Sequence, residues 1–314
     1  MEKVLVTGAT GFIGKALVQT LVAQQFNVVA GVRQIDESQS DAQIALGDLC
    51  AATDFSAVLQ DIDVVIHLAA RAHIMHNRAS DPLAAFRKVN TAGTLNLAIQ
   101  AAEAGVKRFI FISSIKVNGE LTTSNAAFQV ELIAPPLDPY ALSKYEAEQG
   151  LMSLTHSTSM QVVIIRPPLV YGPDVKANFA KMINWLAKGI PLPFGAIHNK
   201  RSLIALDNLL SFIMLCITHP KATNEVFLIA DGEDVSTTQL LQKIAHALHK
   251  KSVLVPVPVS WMRIVAALCG KQEVANRLFT SLQVDSSKAT ALLGWEPVIS
   301  IDKQLQKMTD SYSS

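Results

Sequence analysis

Short apolar runs alternate with longer amphipathic stretches along the first half of the chain. Runs such as Phe109-Ile110-Phe111-Ile112 are apolar at every position, which is typical of strands buried on both faces of a parallel sheet. The pattern predicts strands over Lys3–Thr7, Asn27–Val32, Gln43–Leu46, Val64–His67, Phe109–Ile112 and Val162–Arg166. It predicts helices over Phe12–Gln25, around Phe55–Leu59, over Pro82–Ala104 and over Pro139–Leu154. This alternation indicates an α/β fold built on a doubly wound parallel sheet.

The pattern changes after Arg166, where loops rich in proline and glycine separate shorter elements. Helices are predicted over Phe179–Lys188, Asp207–Thr218, Thr237–His249 and Ser286–Leu293. We therefore predict a sheet domain over residues 1–170 and a smaller, mostly helical C-terminal lobe over residues 171–314. The boundary is soft, because a late helix such as Asp207–Thr218 could pack back on the sheet. The apolar stretch Trp261–Leu268 is far shorter than the roughly 18 residues that span a bilayer, so it predicts a buried or partner-facing helix.

Composition excludes several classes of protein. The 314 residues carry a net charge of +1 and are 50% hydrophobic and 17% charged, which is too apolar for a disordered segment. Near-neutral charge predicts no footprint for nucleic acid or an acidic membrane surface. Cys50, Cys216 and Cys269 lie far apart and form no metal-binding pattern, so we expect free thiols, no metal and a reducing compartment. Without a signal peptide or a spanning segment, we expect a cytoplasmic protein with no membrane insertion.

A glycine-rich loop follows the first predicted strand. Thr7-Gly8-Ala9-Thr10-Gly11-Phe12-Ile13-Gly14 has G-x-x-G-x-x-G spacing at the point where the first helix begins. Glycines there permit a tight turn, bring backbone N–H groups close to a pyrophosphate, and let helix and strand pack closely. The loop predicts a dinucleotide site. Its predicted cofactor-binding residues are Gly8, Thr10, Gly11, Phe12, Ile13 and Gly14.

Residues at the ends of the next three strands indicate which dinucleotide binds. The second strand ends in Arg33 rather than an acidic residue, about 20 residues after the glycine loop, where a guanidinium could pair a 2′-phosphate. This favours NADP(H), with NAD(H) possible and a solvated arginine as the alternative. Asp48, after the third strand, could accept a hydrogen bond from the adenine amino group or simply cap a helix. His67, at the end of the fourth strand, is interpreted as a packed core histidine.

Tyr140 and Lys144 are the most informative chemical pair in the chain. Their i, i+4 spacing places the phenol and the ammonium on one helix face. A nearby cation is expected to lower the pKa of the tyrosine toward working pH, which makes it a usable acid or base. Alone, this spacing is also common in ordinary amphipathic helices.

Together with other motifs, these residues resemble the extended short-chain dehydrogenase/reductase family along essentially the whole chain. In order, the motifs are Gly8, Gly11 and Gly14; Gly47-Asp48-Leu49; His67-Leu68-Ala69-Ala70; Val89-Asn90; Ser113-Ser114; Tyr140 with Lys144; and Arg166-Pro167-Pro168 with Val170-Tyr171-Gly172-Pro173. The sequence looks most like the polysaccharide-pathway branch of epimerases and reductases grouped with UDP-glucose 4-epimerases. This resemblance implies a Rossmann-type fold with a C-terminal lobe for a nucleotide sugar.

The resemblance also implies roles for individual residues. Tyr140 would exchange a proton with a sugar oxygen, Ser114 would hydrogen-bond that oxygen, and Lys144 would hold the nicotinamide ribose. Asn90 would support the helix and a water near Lys144. Ser114 is preferred to Ser113 because it lies five residues before Gly119, the family spacing. Further implied cofactor contacts are Leu49, Leu68, Ala69, Ala70 and Pro167.

Substrate contacts are implied mainly in the second lobe. Asn178 and Arg201 resemble residues with which relatives bind the diphosphate of a UDP-sugar, although Arg201 could equally be a surface arginine. Lys116, His73 and His76 could line the sugar pocket. Relatives also pair the helix after Asn90 and the Tyr140 helix between two subunits, so a homodimer is expected.

Three functions remain open. Family dehydratases carry an Asp-Glu pair after the catalytic residue, whereas this chain has Ile115-Lys116, so dehydration is disfavoured. Arg33 favours an NADPH-dependent 4-keto reductase acting on a UDP-linked (N-acetyl)hexosamine in surface-polysaccharide precursor synthesis. The alternative is a UDP-hexose or UDP-N-acetylhexosamine 4-epimerase with tightly bound NAD. A non-catalytic dinucleotide-sensing protein is the remote alternative.

Overall fold

A computed structural model describes residues 2–35, 42–72, 81–123, 126–175 and 178–310. The strands of this part are, in chain order, β1 (Lys3–Thr7), β2 (Asn27–Val32), β3 (Gln43–Ala45), β4 (Val64–His67), β5 (Arg108–Ile112), β6 (Gln161–Arg166), β7 (Leu169–Tyr171), β8 (Arg201–Ala205), β9 (Glu225–Leu228) and β10 (Asp234–Val235). Seven strands form one parallel sheet in the order β3-β2-β1-β4-β5-β6-β9. A second sheet has the order β10-β8-β7.

Helices cover both faces of the large sheet. The α-helices are α1 (Phe12–Ala23), α2 (Pro82–Phe86), α3 (Thr94–Glu103), α4 (Pro139–Leu154), α5 (Asn178–Ala187), α6 (Leu206–Thr218), α7 (Thr237–Ala247), α8 (Val259–Leu268), α9 (Gln272–Phe279), α10 (Ser287–Leu293) and α11 (Ile301–Thr309). One apolar core packs α1 and α6 against the sheet, and a second packs α3 and α4 against its other face. The predicted Rossmann-type doubly wound fold is confirmed.

A third core lies around the small sheet. It joins α5, α7 and α11 through residues such as Ile183, Leu241 and Leu305. Two elements that follow residue 170 nevertheless belong to the large sheet: β9 pairs with β6, and α6 packs in the core of α1. The division of the chain at residue 170 stays a prediction. Strand β9 and helix α6 come after this residue in the sequence but pack with the sheet domain.

Several predicted elements differ from those observed. Phe55–Leu59 forms a turn, in which the Leu59 N–H donates to the Phe55 carbonyl at 3.1 Å. Both side chains are fully buried, so their spacing reflects core packing rather than a helix. The predicted helix Pro82–Ala104 is interrupted by a π-helix over Arg87–Gly93. The pattern missed α9, α11 and strands β7 to β10, which are too short for a clear periodicity.

The structure also bears on the predicted exclusions. No helix in the described ranges is long and apolar enough to cross a membrane. Cys50, Cys216 and Cys269 are free thiols. Among the described residues, no cluster of histidine, cysteine and acidic side chains could hold a metal ion.

Candidate active site

The carboxyl ends of the parallel strands meet at one edge of the large sheet. The strand order reverses there between β1 and β4, and ligands of doubly wound sheets bind in the crevice at such a switch point. The predicted cofactor residues follow the strands that end at this edge. They are Gly8, Thr10, Gly11, Phe12, Ile13 and Gly14 after β1, Arg33 after β2, Asp48 and Leu49 after β3, Leu68, Ala69 and Ala70 after β4, and Pro167 after β6.

The glycine loop is built for close backbone contacts. Gly8 has a φ of +70°, and a Cβ atom there would lie 2.8 Å from the Ala69 amide nitrogen. A Cβ on Gly14 would lie 2.1 Å from the Gly8 carbonyl oxygen. The loops after β1 and β4 therefore touch through backbone atoms, which only glycine at these positions allows.

Helix α1 begins inside this loop without a side-chain cap. Its N-cap residue is Gly11, which is exposed and has no side chain to accept from the first-turn N–H groups. Those N–H groups and the helix dipole favour an anion at this end. The residues present thus fit the pyrophosphate of a dinucleotide.

Arg33 and Asp48 form an ion pair beside the loop. The Arg33 Nε atom lies 3.2 Å from an Asp48 carboxylate oxygen, and the two side chains are 80% and 82% exposed. Such exposed pairs contribute little to stability, so a ligand can displace either partner. The 2′-phosphate contact of Arg33 and the adenine contact of Asp48 stay predictions, and in the structure the two side chains bind each other.

A buried hydrogen-bonded chain supports the ends of β1 and β4. His67 Nδ1 lies 2.7 Å from the Thr7 hydroxyl, and His67 Nε2 lies 3.0 Å from the Thr94 hydroxyl. The Ala69 N–H donates to the same Thr7 hydroxyl at 3.3 Å. Burial lowers the pKa of His67 to about 3, so it is a neutral, packed core histidine, as predicted.

Asn90 lies in the π-helix and is fully buried. Its side-chain oxygen accepts from the Arg71 N–H at 2.8 Å, and its amide donates to the Ser143 hydroxyl at 3.0 Å. Ser143 donates in turn to the Tyr140 carbonyl at 2.7 Å. Asn90 therefore ties the segment after β4 to α4, next to Lys144. π-Helices frequently occur at functional sites, and this one presents Asn90 to α4.

Tyr140 stands in the first turn of α4. Asp138 caps this helix by accepting from the Ala141 N–H at 2.9 Å, and Pro139 suits its first turn. Burial raises the pKa of Tyr140, and the nearby Ser114 hydroxyl acts in the opposite direction. The structure thus brings Tyr140 and Ser114 together. Ser114 also caps the short 3-10 helix Ile115–Val117 by accepting from the Lys116 N–H.

Lys144 is buried one turn after Tyr140. Its ammonium donates to the Ile112 carbonyl at 2.9 Å and lies 4.3 Å from the centre of the Phe111 ring. Burial lowers the pKa of Lys144 to about 7. The prediction that Lys144 lowers the pKa of Tyr140 is not supported: burial raises the pKa of Tyr140, and the nearby Ser114 hydroxyl opposes this only in part.

The predicted substrate residues Lys116 and Arg201 are each bound to partners within the protein. Lys116 pairs with Glu120 at 2.7 Å and with Asp138 at 3.9 Å. The Arg201 guanidinium, at the start of β8, donates to the Arg277 and Thr280 carbonyls at 2.9 and 3.1 Å. Burial lowers the pKa of Arg201.

The structure does not describe the side chains of the three other predicted substrate residues. Asn178 begins α5, but its side chain lies outside the description. His73 and His76 lie outside the described residues.

Two supporting residues were not assigned a role from the sequence. Glu148, one turn after Lys144 in α4, accepts from Arg166 Nη2 at 2.7 Å, and both side chains are buried. Arg166 ends β6 and also donates to the Asn118 side chain at 3.1 Å. The signal available in the sequence was the i, i+4 spacing of Lys144 and Glu148. This pair fixes α4, and with it Tyr140 and Lys144, to the end of β6.

Comparison with known proteins extends these observations. A sequence model of the NAD dependent epimerase/dehydratase family matches residues 4–230. A UDP-glucose 4-epimerase of Vibrio cholerae is 46% identical over 313 residues, covering 99% of this chain and 95% of the relative. A GDP-6-deoxy-D-mannose reductase of Pseudomonas aeruginosa is 27% identical over 325 residues, covering 100% of this chain and 98% of the relative.

A solved structure is similar over the same length. The UDP-glucuronic acid 4-epimerase of Bacillus cereus, in complex with UDP-glucuronic acid and NAD, has a TM-score of 0.74 and 27% sequence identity. The alignment covers 98% of each chain. Both parts of the fold are therefore shared with this relative.

Proposed function

The chain belongs to the NAD-dependent epimerase/dehydratase family, and we propose that it is a UDP-hexose or UDP-N-acetylhexosamine 4-epimerase that uses NAD. The observation that carries this proposal is that Tyr140, Ser114 and the buried Lys144 lie together at the carboxyl edge of the sheet. The glycine loop follows β1 at the same edge. This set can move a proton at a sugar oxygen. The 46% identity to a UDP-glucose 4-epimerase supports the choice of reaction.

The sequence alone favoured a 4-keto reductase, because Arg33 suits the 2′-phosphate of NADPH. The similarity to known proteins supports the alternative better, since the relative at 46% identity is a 4-epimerase and the reductase is 27% identical. In the structure, Arg33 faces Asp48 in an exposed pair. NAD as the working cofactor follows from the epimerase proposal, because an epimerase regenerates its cofactor and needs no NADPH pool.

The chain's own residues would divide the work as follows. In its phenolate form, Tyr140 takes the proton from the sugar 4-hydroxyl, and the resulting phenol returns it after the carbon has changed configuration. Ser114 holds the same oxygen, and the Lys144 ammonium orients the nicotinamide ribose. Bound nicotinamide supplies the hydride acceptor and donor at the sugar carbon. Asn90 and Glu148 position α4 under these groups.

Binding of the nucleotide diphosphate is proposed for Arg201 and Asn178. A guanidinium offers a forked donor that matches phosphate oxygens. For this role Arg201 must exchange the Arg277 and Thr280 carbonyls for the ligand. A homodimer through α3 and α4, together with the π-helix that precedes α3, remains part of the proposal.

The proposal is tested by incubating the purified protein with UDP-hexoses and UDP-N-acetylhexosamines without added cofactor and following the C4 epimers by NMR. We expect interconversion. A parallel reaction contains a UDP-4-keto-6-deoxy-N-acetylhexosamine with NADPH or NADH, and cofactor absorbance is recorded. Stoichiometric NADPH oxidation, with a KM for NADPH raised selectively by Arg33→Asp, would establish the reductase instead.

A further inference from the structure

Helix α8 presents an apolar face that no described part of the chain covers. Eight of its ten residues are apolar, yet none of the ten is buried. Trp261, Ile264, Val265 and Leu268 recur at i, i+3, i+4 and i+7, so they share one face of the helix. They are between 59% and 83% exposed.

The inner side of α8 is also apolar. Val259, Met262 and Ala266 are half-buried and attach the helix to the protein. The preceding segment extends the exposed surface through Val253 and Val255, which are 50% and 45% exposed. We call Val253, Val255, Trp261, Ile264, Val265 and Leu268 the α8 patch.

Another amphipathic helix of the same lobe buries its apolar residues. Helix α11 has apolar residues at i, i+4 and i+7, and it buries all three, Ile301, Leu305 and Met308, in the core. Contiguous exposed apolar surface on a water-facing protein marks an interaction site rather than ordinary surface. The α8 patch therefore needs a partner that the described chain does not supply.

Charge around the patch indicates the chemistry of that partner. The segment from His249 to Thr280 contains five basic side chains and one acidic side chain, so its formal charge is +4 in a chain of net charge +1. The basic residues are Lys250, Lys251, Arg263, Lys271 and Arg277, and all are exposed. The acidic residue, Glu273, lies 3.9 Å from Arg277. No ion pair joins the other four cations to any described residue.

We propose that the α8 patch docks the protein onto a bilayer surface that contains anionic phospholipids. The apolar stripe enters the boundary between headgroups and acyl chains, with Trp261 in the interfacial zone that tryptophan favours. The surrounding lysines and arginines contact lipid phosphates. Ten residues cannot span a bilayer, so α8 lies on the surface.

The local charge overrules the prediction made from the whole chain. A net charge of +1 indicated no footprint on an acidic membrane surface, because it averages a cationic segment with an acidic remainder. The same charge argues against a second copy of this chain as the occupant. A two-fold contact through the patch would place two +4 segments against each other.

Helix α8 packs against α9. The end of α9 supplies the Arg277 and Thr280 carbonyls that bind Arg201. Docking would thus hold the Arg201 side of the protein near the lipid surface.

The test is co-sedimentation of the full-length protein with phosphatidylcholine vesicles and with vesicles that also contain phosphatidylglycerol. We expect binding about tenfold stronger to the anionic vesicles, weakened by added sodium chloride. Trp261→Ala with Leu268→Ser removes apolar contacts, and Lys250→Gln with Lys251→Gln and Lys271→Gln removes charge. Each set should lower binding about tenfold or more.

Matched controls change the same chemistry elsewhere on the exposed surface. Val22→Ser with Val298→Ser, and Lys88→Gln with Lys221→Gln and Lys303→Gln, should bind as the unaltered protein does. Anionic vesicles should shift tryptophan emission to shorter wavelength, and Trp261→Phe should abolish the shift. Circular dichroism verifies that every variant is folded.

Three results would overturn the proposal. The first is no binding to anionic vesicles, and the second is equal binding by the apolar variant and the unaltered protein. The third is a concentration-dependent dimer that the apolar variant does not form, without vesicle binding, which would assign the patch to a second copy. Because lipid binding is the readout, failure here leaves the proposed epimerase activity standing, and loss of that activity leaves lipid binding standing.

Discussion

Burial acts on three titratable side chains at the sheet edge in the direction that keeps each one neutral. It lowers the pKa of His67 to about 3, lowers that of Lys144 to about 7 and raises that of Tyr140. Removal from water disfavours the charged form of every group. Spacing in the sequence shows which residues are near each other, but the sign of each shift depends on how deeply they are buried.

Replacing Tyr140 by phenylalanine removes the proposed proton carrier and leaves the ring that packs against Phe86. We expect Tyr140→Phe to reduce turnover of the nucleotide sugar about 10²- to 10⁴-fold, the usual share of a positioned acid or base. Tyr145→Phe, in the same helix, is the control and should retain activity. Unchanged turnover of every nucleotide sugar by Tyr140→Phe would revive the non-catalytic alternative.

Protonation of His67 should unfold the protein in acid. Its pKa lies below the unfolded value of 6.5, so the unfolded chain binds more protons between pH 6.5 and about 3. Above pH 6.5, neutral His67 makes its full contribution to the free energy of unfolding. This contribution is lost progressively as the pH drops toward 3. The loss is on the order of 5 kcal/mol, because the pKa of His67 falls from 6.5 to about 3 and each pKa unit corresponds to about 1.4 kcal/mol.

Urea titrations at several pH values measure this loss. His67→Gln should flatten the pH dependence in that window, because glutamine keeps hydrogen-bonding capacity between Thr7 and Thr94 without titrating. His246→Gln, at an exposed position, should leave it unchanged. A His67→Gln profile as steep as that of the unaltered protein would show that other groups carry the acid sensitivity.

At the scale of elements, helix α4 is held by two ion pairs in different surroundings. Glu148 and Arg166 are 1% and 4% exposed, whereas Glu146 and Arg87 are 28% and 48% exposed. An exposed pair contributes about 1 kcal/mol or less. Removing one partner of a buried pair costs more, because the other charge stays buried and unpaired.

Arg166→Gln is therefore expected to lower the free energy of unfolding by about 3–5 kcal/mol. Arg87→Gln, the matched control at the exposed ion pair of α4, should lower it by about 1 kcal/mol or less. Chemical denaturation measures both values. The double variant Glu148→Leu with Arg166→Met should recover much of the loss, because no charge is then buried alone. Equal costs for the two arginines would refute this view of α4.

At the scale of the whole molecule, the two parts of the chain share one sheet. Strand β9 pairs with β6, and α6 contributes Phe212 and Ile213 to the core that covers α1. Without residues after 172, β6 would become an open edge and this core would face water. Apolar edges of that kind pair with other chains.

A fragment of residues 1–172 should therefore fail to fold as an independent domain. We expect no cooperative thermal transition by circular dichroism, and aggregates by analytical ultracentrifugation. Co-expression with residues 173–314 is the control and should restore a folded complex, since it returns β9 and α6. A monomeric fragment with a sharp melting transition would show that the boundary near residue 170 separates two autonomous domains.

Local signals in the sequence determined much of the fold. The bounds of β1, β2, β4 and α4 match their predictions, because continuous apolar runs, the Asp138 cap and Pro139 act between neighbours in the chain. The glycine loop could also be predicted from the sequence, because the spacing of its glycines reflects a close backbone contact between Gly8 and Gly14 inside the loop. The family followed from motifs in fixed order.

Tertiary structure decided what depends on distant segments. Phe55–Leu59 became a buried turn, β9 joined the large sheet, and Arg33 and Arg201 faced partners from other elements. The direction of the Tyr140 pKa shift and the exposure of α8 also emerged only there. The physical reason is that burial, and with it charge state and free surface, is set by residues far apart in sequence that pack together only in the folded chain.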